Sequence, residues 1–332
     1  MKKMLLLGLV TASMVSCSNN EVFEVNEVKS RSINFESFVN KPTRADVELT
    51  SLKEFYVFGY YGNNTTVFNN VSVVGSQTNS TTGSWTVGEE EVWDTQDYYF
   101  AAYANGNGDG TSGGEDKLTG VDFASQVLTI SNYDTDGTKD LVATKTAIRR
   151  NNTTSFDDSS VNLTFSHLLS RIAITFKNTS TSAFSVDISN IKLTVKNGAT
   201  YDTTNKWDIT SATSKVYNIT GVTNLAQNAS SSETVFYLTP QQLANAETIS
   251  FEAIFKDGED QPVEVVGGNN YTINLNKGMN SGSNVAEWQL GVAYNYTINL
   301  PSTPMTINFN VSEVESWGTA TGITISGRED RN

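Results

Sequence analysis

Apolar residues in this chain recur at every second position, in short runs broken by clusters of Gly, Asn, Asp and Ser. In VNLTFSHLLSRIAITFKN, Leu163 and Phe165 alternate with polar neighbours, as do Ile172, Ile174 and Phe176. FSVDISNIKLTVKNG repeats the pattern through Ile191, Leu193 and Val195, and TISFEAIFKDG through Ile249, Phe251 and Ala253. YNYTINL and MTINFNV carry it towards the C-terminus. A spacing of two puts one set of side chains on a core face and the other in water, as in a half-buried strand. Helical periodicity is almost absent; residues 166–169 and 240–245 are the stretches expected to make a helical turn or two. The expected fold is all-β and antiparallel, built as sandwiches or barrels.

The chain of 332 residues is long enough for two domains of ordinary size. NTSTSA, beginning at Asn178, separates two strand-rich parts, so a boundary is expected near 178–185. No repeat of fixed period is present. Residues 105–116 (NGNGDGTSGGED) form a Gly/Asp loop. A phosphate cradle would need a strand before it and a helix after it, and neither is there, so it reads as a solvated hairpin loop.

The first residues are MKKMLLLGLVTASMVSCSNN. Lys2 and Lys3 precede an apolar core, residues 4–15, shorter than the roughly 20 residues of a membrane-spanning helix. This is the anatomy of a secretory signal. Ser16 directly before Cys17 resembles a bacterial lipobox, with Met14 where Leu is commonest. Cys17 is therefore the expected lipid-attachment site, residues 1–16 being a lipoprotein signal peptide. Because Cys17 is the sole cysteine, no internal disulfide can form, and stability must come from buried apolar area. The net charge of −14 argues against a nucleic-acid partner, which needs clustered cations.

Few residues carry the signature of chemistry. His167 is the single histidine, so any Ser–His–Asp arrangement would run through it. Its setting in FSHLLSRI marks it instead as a packed, hydrogen-bonded core residue. No metal site is expected: zinc lacks ligands, and Asp134, Asp136 and Asp140 in YDTDGTKD depart from EF-hand spacing and read as a turn. No pair of carboxylates stands out for glycoside hydrolysis. Trp85, Trp93, Trp207, Trp288 and Trp317 are dispersed, and core or interface anchoring is the expected role for most of them. No cofactor and no enzymatic activity are expected.

RSINFESFVNKPTRADVELTSLKEFYVFGYYG, from Arg31, is the most specific stretch. A short strand carrying Ile33, Phe35 and Val39 precedes a basic PTRA site at Arg44 and Ala45, a polar spacer, and a second strand, residues 55–61. This order resembles the N-terminus of fimbrillin-like proteins of the Bacteroidales, the subunits of type V pili. VWDTQDYYFAAYANG, LTFSHLLSRIAITF, WQLGVAYNYTINL and INFNVSEVESW resemble further segments of that family, in the same order. The resemblance implies two transthyretin-like β-sandwich domains in tandem, residues 45–180 and 181–332, after a propeptide, residues 17–44, that contains the first strand. It also implies export as an outer-membrane lipoprotein precursor, and cleavage at Arg44–Ala45 by an arginine-specific protease that excises that strand. Arg31–Ser32 is the weaker alternative, because a cut there would retain the strand. The implied partners are other pilus subunits, joined by strand exchange, and a host protein or glycan if the subunit is a tip adhesin. The candidate donor strand carries Ile307, Phe309, Val311, Ile323 and Ile325; completion of the C-terminal sandwich is the other reading of the same segment. A monomeric surface glycan-binding lipoprotein and a carbohydrate-active enzyme are the alternatives from other classes.

Overall fold

In a computed structural model, described residues are 33, 35–39, 52–62, 64–77, 83–87, 91–93, 96–106, 117–144, 148–151, 160–180, 183–263, 268–277, 279–280, 283–300 and 314–316. They are overwhelmingly strand. The largest sheet runs in the order β1 (Phe35–Val39), β10 (Val161–His167), β8 (Asp140–Thr144), β5 (Asp97–Gly106), β2 (Glu54–Tyr61), β3 (Thr65–Gln77) and β4 (Gly83–Val87), with β9 (Ile148–Asn151) also on β5. Every pairing along it is antiparallel except the first: β1 runs parallel to β10. The sheet curls until β1, at one end, lies against β4, at the other. Its concave face then closes over a core of Phe35, Phe55, Phe68, Trp85, Phe100 and Phe165.

The convex face carries a second layer. There Tyr56, Phe58, Tyr60 and Tyr103 pack on Phe123, Leu128, Ile130 and Tyr201. Those partners belong mostly to a four-stranded sheet in the order β14 (Lys206–Asp208), β13 (Ala199–Asp202), β7 (Val127–Tyr133) and β6 (Val121–Ala124). Strand β2 is thus buried on both faces, which is why EFYVFGYY is almost continuously apolar rather than alternating.

The third core lies between two further sheets. One is β17 (Thr234–Leu238), β11 (Ser170–Asn178), β24 (Val292–Leu300) and β25 (Val314–Ser316). The other is β15 (Thr213–Ile219), β12 (Ser185–Asn197), β19 (Thr248–Lys256) and β20 (Asn270–Asn274), with β16 (Val222–Leu225) beside β12. Their inward residues are the alternating ones of the sequence: Ile172, Ile174 and Phe176 face Ile191, Leu193, Val195, Ile249 and Phe251. Small ribbons, β18 (Gln241–Gln242) with β23 (Glu287–Trp288) and β21 (Met279–Asn280) with β22 (Ser283–Asn284), complete the set.

The sheets interleave along the chain. Strand β11, which ends before residue 180, pairs with β17 and β24, while β13 pairs with β7. The helical turns expected at 166–169 and 240–245 do not form. Ser166 and His167 end β10, and Leu168 and Leu169 are buried in the crossover to β11, so their side chains fill a core without a helix. After Pro240, Gln241 and Gln242 pair with Trp288 and Glu287 as strand. A short 3-10 helix sits instead at Leu275–Lys277.

Candidate functional site

Strand β1 is the feature with functional geometry, because it is an edge strand whose Phe35 side chain is part of a core. Its register on β10 runs from Phe35 opposite Val161 to Val39 opposite Phe165. Ile33 and Phe35 are 3% and 2% exposed. The Phe35 ring sits in an aromatic cage, edge-on to Phe55 at 6.2 Å, Phe68 at 5.7 Å and Phe100 at 5.7 Å between ring centres. Gly59 makes room for that cage: a Cβ there would come within 2.9 Å of the Phe100 ring and 3.2 Å of Phe68. Just before the strand, the Ile33 N–H donates to the Glu91 carbonyl at 2.8 Å.

The seat has two sides of unequal strength. Among the described residues β1 is laddered to β10 but only lies against β4, with no ladder between those two. Main-chain bonds therefore hold one long edge, and the cage supplies much of the remaining grip. Buried aromatic pairs contribute about 0.5–1.5 kcal/mol each beyond their area. Withdrawing β1 would bare an apolar trough floored by Phe55, Phe68, Phe100, Leu163 and Phe165, and expose the edge of β10.

Among the sequence-predicted site residues, Ile33 and Phe35 are brought together in this seat, and Val39 ends the strand. Cys17, Arg44, Ala45, Ile307, Phe309, Val311, Ile323 and Ile325 lie outside the described residues. The sequence reading missed the cage itself, since Phe55, Phe68 and Phe100 come from three strands whose pairing with one another no local pattern reports.

The residues weighed for chemistry have structural partners. His167 Nδ1 lies 2.6 Å from Asp140 Oδ2, both side chains buried, tying β10 to β8. Asp134 bridges to Lys215 at 2.7 Å and accepts from Asn197. Burial opposes the charge on Asp136, but the Thr138 N–H (2.7 Å) and hydroxyl (2.8 Å) outweigh it and hold the carboxyl below its ordinary range. The turn is locked onto the neighbouring sheet at Gly137, whose φ of 89° places its hydrogen where a Cβ would meet Phe236 at 2.9 Å. Its carbonyl accepts from the Tyr237 N–H at 2.9 Å. A cavity of about 450 Å³ opens beside this turn, lined by Asn105, Lys117, Tyr133 and Lys139 among others. Trp85, Trp93 and Trp288 are buried, and Trp207 donates its Nε1–H to the Leu168 carbonyl at 2.6 Å. These four tryptophans therefore serve the cores and form no exposed stacking platform.

The chain belongs to the fimbrillin-like family, which matches residues 43–317. That family is one of fimbrial and adhesin proteins, which places the chain at the cell surface. A solved structure described as a cell adhesion protein, from Bacteroides uniformis, is similar over 86% of this chain and 98% of its own, at 17% identity and a TM-score of 0.51. A second cell adhesion protein, from Bacteroides ovatus, aligns over 87% and 98% at 16% identity and a TM-score of 0.47. The fimbrial anchor protein Mfa2 from Porphyromonas gingivalis aligns over 90% and 100% at 11% identity and a TM-score of 0.37. A search of the curated proteins gives no match.

Proposed function

We propose that the chain is the precursor of a pilus subunit or pilus-tip adhesin that assembles when β1 is excised and a strand from another subunit takes its place. One observation carries this reading: an edge strand, laddered to one neighbour among the described residues, lies at a core that Ile33 and Phe35 help to fill. Losing such a strand leaves an unpaired edge and an apolar trough, which together template a foreign strand. Main-chain bonds then give affinity and alternate side chains give register.

Export begins at Cys17, whose lipid holds the precursor at the outer membrane. An arginine-specific protease cuts Arg44–Ala45, and the propeptide leaves with β1 and the anchor. The family match begins at residue 43 and so leaves β1 outside it, in keeping with a strand that serves the precursor. Charge supports the division as well. Residues 17–44 balance Glu21, Glu24, Glu27 and Glu36 against Lys29, Arg31, Lys41 and Arg44, so the acidity of the chain lies in the retained part. We assign residues 45–180 and 181–332 to two transthyretin-like units. On this division the units share strands, since β11 pairs within the C-terminal sheets and β13 within the N-terminal ones. The role is assembly and adhesion, without catalysis, the partners being other pilus subunits and, at a tip, a host protein or glycan.

A second reading of the C-terminus rests on β25, which pairs antiparallel with β24 of its own sheet. A subunit that keeps this strand at home would end a pilus rather than extend it.

Treatment with an arginine-specific protease tests the proposal. The expected product is a folded fragment whose new N-terminus is Ala45. Resistance at Arg44, or digestion to small fragments, contradicts it.

A further inference from the structure

We propose that the cavity beside the turn before β8 is a binding site for a carboxylate-bearing sugar, and that Lys117 and Asn105 take the carboxylate. This gives the adhesin reading above a ligand class and rests on that reading, but not on strand exchange.

The cavity has a volume of about 450 Å³, within the range of small-molecule sites and of a size for a mono- or disaccharide. Its walls are held from behind. The Leu118 N–H donates to the Tyr103 hydroxyl at 3.0 Å, and that hydroxyl donates to Asn70 Oδ1 at 2.9 Å. The Ser131 N–H donates to the Gly120 carbonyl at 2.9 Å. On the turn, the Thr135 hydroxyl donates to the Tyr237 carbonyl at 2.8 Å. A site fixed in this way exists before its ligand arrives, which lowers the ordering cost of binding.

Two groups in the wall call for an anion. Asn105 is only 5% exposed, yet it lines the cavity. Its Oδ1 accepts from the Tyr133 hydroxyl at 2.8 Å, while its side-chain amide hydrogens have no acceptor among the described residues. Buried polar groups are nearly always satisfied, so two unspent amide donors facing a cavity mark a place for an acceptor. Lys117 also lines the cavity; its Nζ lies 5.7 Å from the centre of the Tyr56 ring and makes no ion pair among the described residues. An ammonium beside amide donors matches a carboxylate through charge-assisted hydrogen bonds.

The remaining wall decides what carries that carboxylate. Lys139, Asp134 and Asp136 line the cavity as well, so two lysines stand with two aspartates and the formal charges of the described wall cancel. A phosphate monoester brings about 1.5–2 negative charges and is repelled by the aspartates, whereas Lys117 balances a single carboxylate. Aspartate oxygens accept from hydroxyls, which a sugar ring presents in adjacent pairs. An apolar acid would strip water from those oxygens and return nothing.

The uncut full chain carrying Cys17→Ser is titrated, with ligand-observed NMR as the readout, against methyl β-glucuronide, the methyl ester of that glucuronide, the methyl α-glycoside of N-acetylneuraminic acid, and inorganic phosphate. The expected result is a Kd below about 1 mM for at least one acid, with the ester at least about tenfold weaker than the glucuronide if the uronate is the ligand. Which acid binds tells a uronate from a sialate. Lys117→Gln, at an exposed position, is expected to weaken the acid about tenfold and to move the ester less than about twofold. Asn105→Asp keeps an acceptor for the Tyr133 hydroxyl, removes the amide donors and is expected to abolish acid binding. Equal affinity for glucuronide and ester with no binding of the sialoside, or tighter binding of phosphate than of either acid, overturns the carboxylate assignment. Binding of neither acid overturns the site. Beads coated with the chain and applied to surfaces bearing the same sugars separate the two readings. Attachment that Lys117→Gln leaves intact overturns this site and spares the adhesin reading; no attachment and no soluble binding overturns both.

Discussion

Phe35→Ala lowers the stability of the precursor by about 3–5 kcal/mol, the cost of deleting a buried phenylalanine from a core that cannot collapse around the gap. The size follows from where the ring sits. Phe35 is 2% exposed and meets three other rings edge-on, and those rings are themselves fixed by Trp85 at 4.8 Å from Phe55 and Trp93 at 5.9 Å from Phe100. With a urea dependence of about 2 kcal/mol/M, the midpoint moves down by roughly 2 M. Trp85 and Trp93 lie in the same core, so fluorescence reads this transition directly. A loss under about 1 kcal/mol would mean that β1 rests on the sheet without supporting it.

Alkaline titration produces the second large effect. Burial pushes Tyr103 up to about 12, against the Leu118 N–H and the Asn70 side chain that hydrogen-bond to it. Burial and then the Asp202 charge take Tyr201 to about 12. Burial takes Tyr294 to about 12 as well, opposed by the Gln289 N–H and reinforced by Glu287. Tyr133, Tyr217 and Tyr296 are raised further, each chiefly by burial, with Asp140 and Asp136 acting on Tyr133 and Asp134 and Asp136 on Tyr217. An unfolded tyrosine titrates near 10. Above that pH the unfolded chain has lost protons that the folded chain keeps, so stability falls as pH rises from about 10 towards 12. Each of the six contributes up to about 1.4 kcal/mol per pH unit. All six act in the same direction, so the loss of stability grows across that window. The expected observation is one cooperative unfolding transition in that window, with tyrosinate absorbance appearing in step with the loss of far-ultraviolet strand signal. Smooth titration of these tyrosines near 10 in a protein that stays folded would contradict the packing described for them.

What could be read from the sequence, and what could not, divides along a physical line. Strands with one wet face announce themselves: β19 alternates strictly and β12 alternates on either side of a bulge at Ser189 and Asn190, and their inward residues are those that the period of two selects within each run. Strands buried on both faces do not. β2 and β5 pack a core on each side, so their apolar residues run together, and nothing local reveals that Phe55 and Val57 face one core while Tyr56 and Phe58 face another. The apolar SHLL read as a helical turn for the same reason, since Leu168 and Leu169 are buried in a crossover between sheets. Phe35 was legible as a core-facing residue because its own neighbours alternate. Its cage was not, because three distant strands build it, and the parallel pairing of β1 with β10 spans most of the N-terminal half of the chain.

Removal of β1 is expected to arm the subunit for assembly. Purified precursor is cut after Arg44, concentrated, and run on a denaturing gel with and without heating, beside an Arg44→Ala variant treated identically. The expected result is a ladder of multimers from the cleaved protein that survives detergent without heat and collapses on boiling, with monomer alone from the variant. Cleaved protein that stays monomeric, or equal ladders from the variant, would contradict assembly by strand replacement.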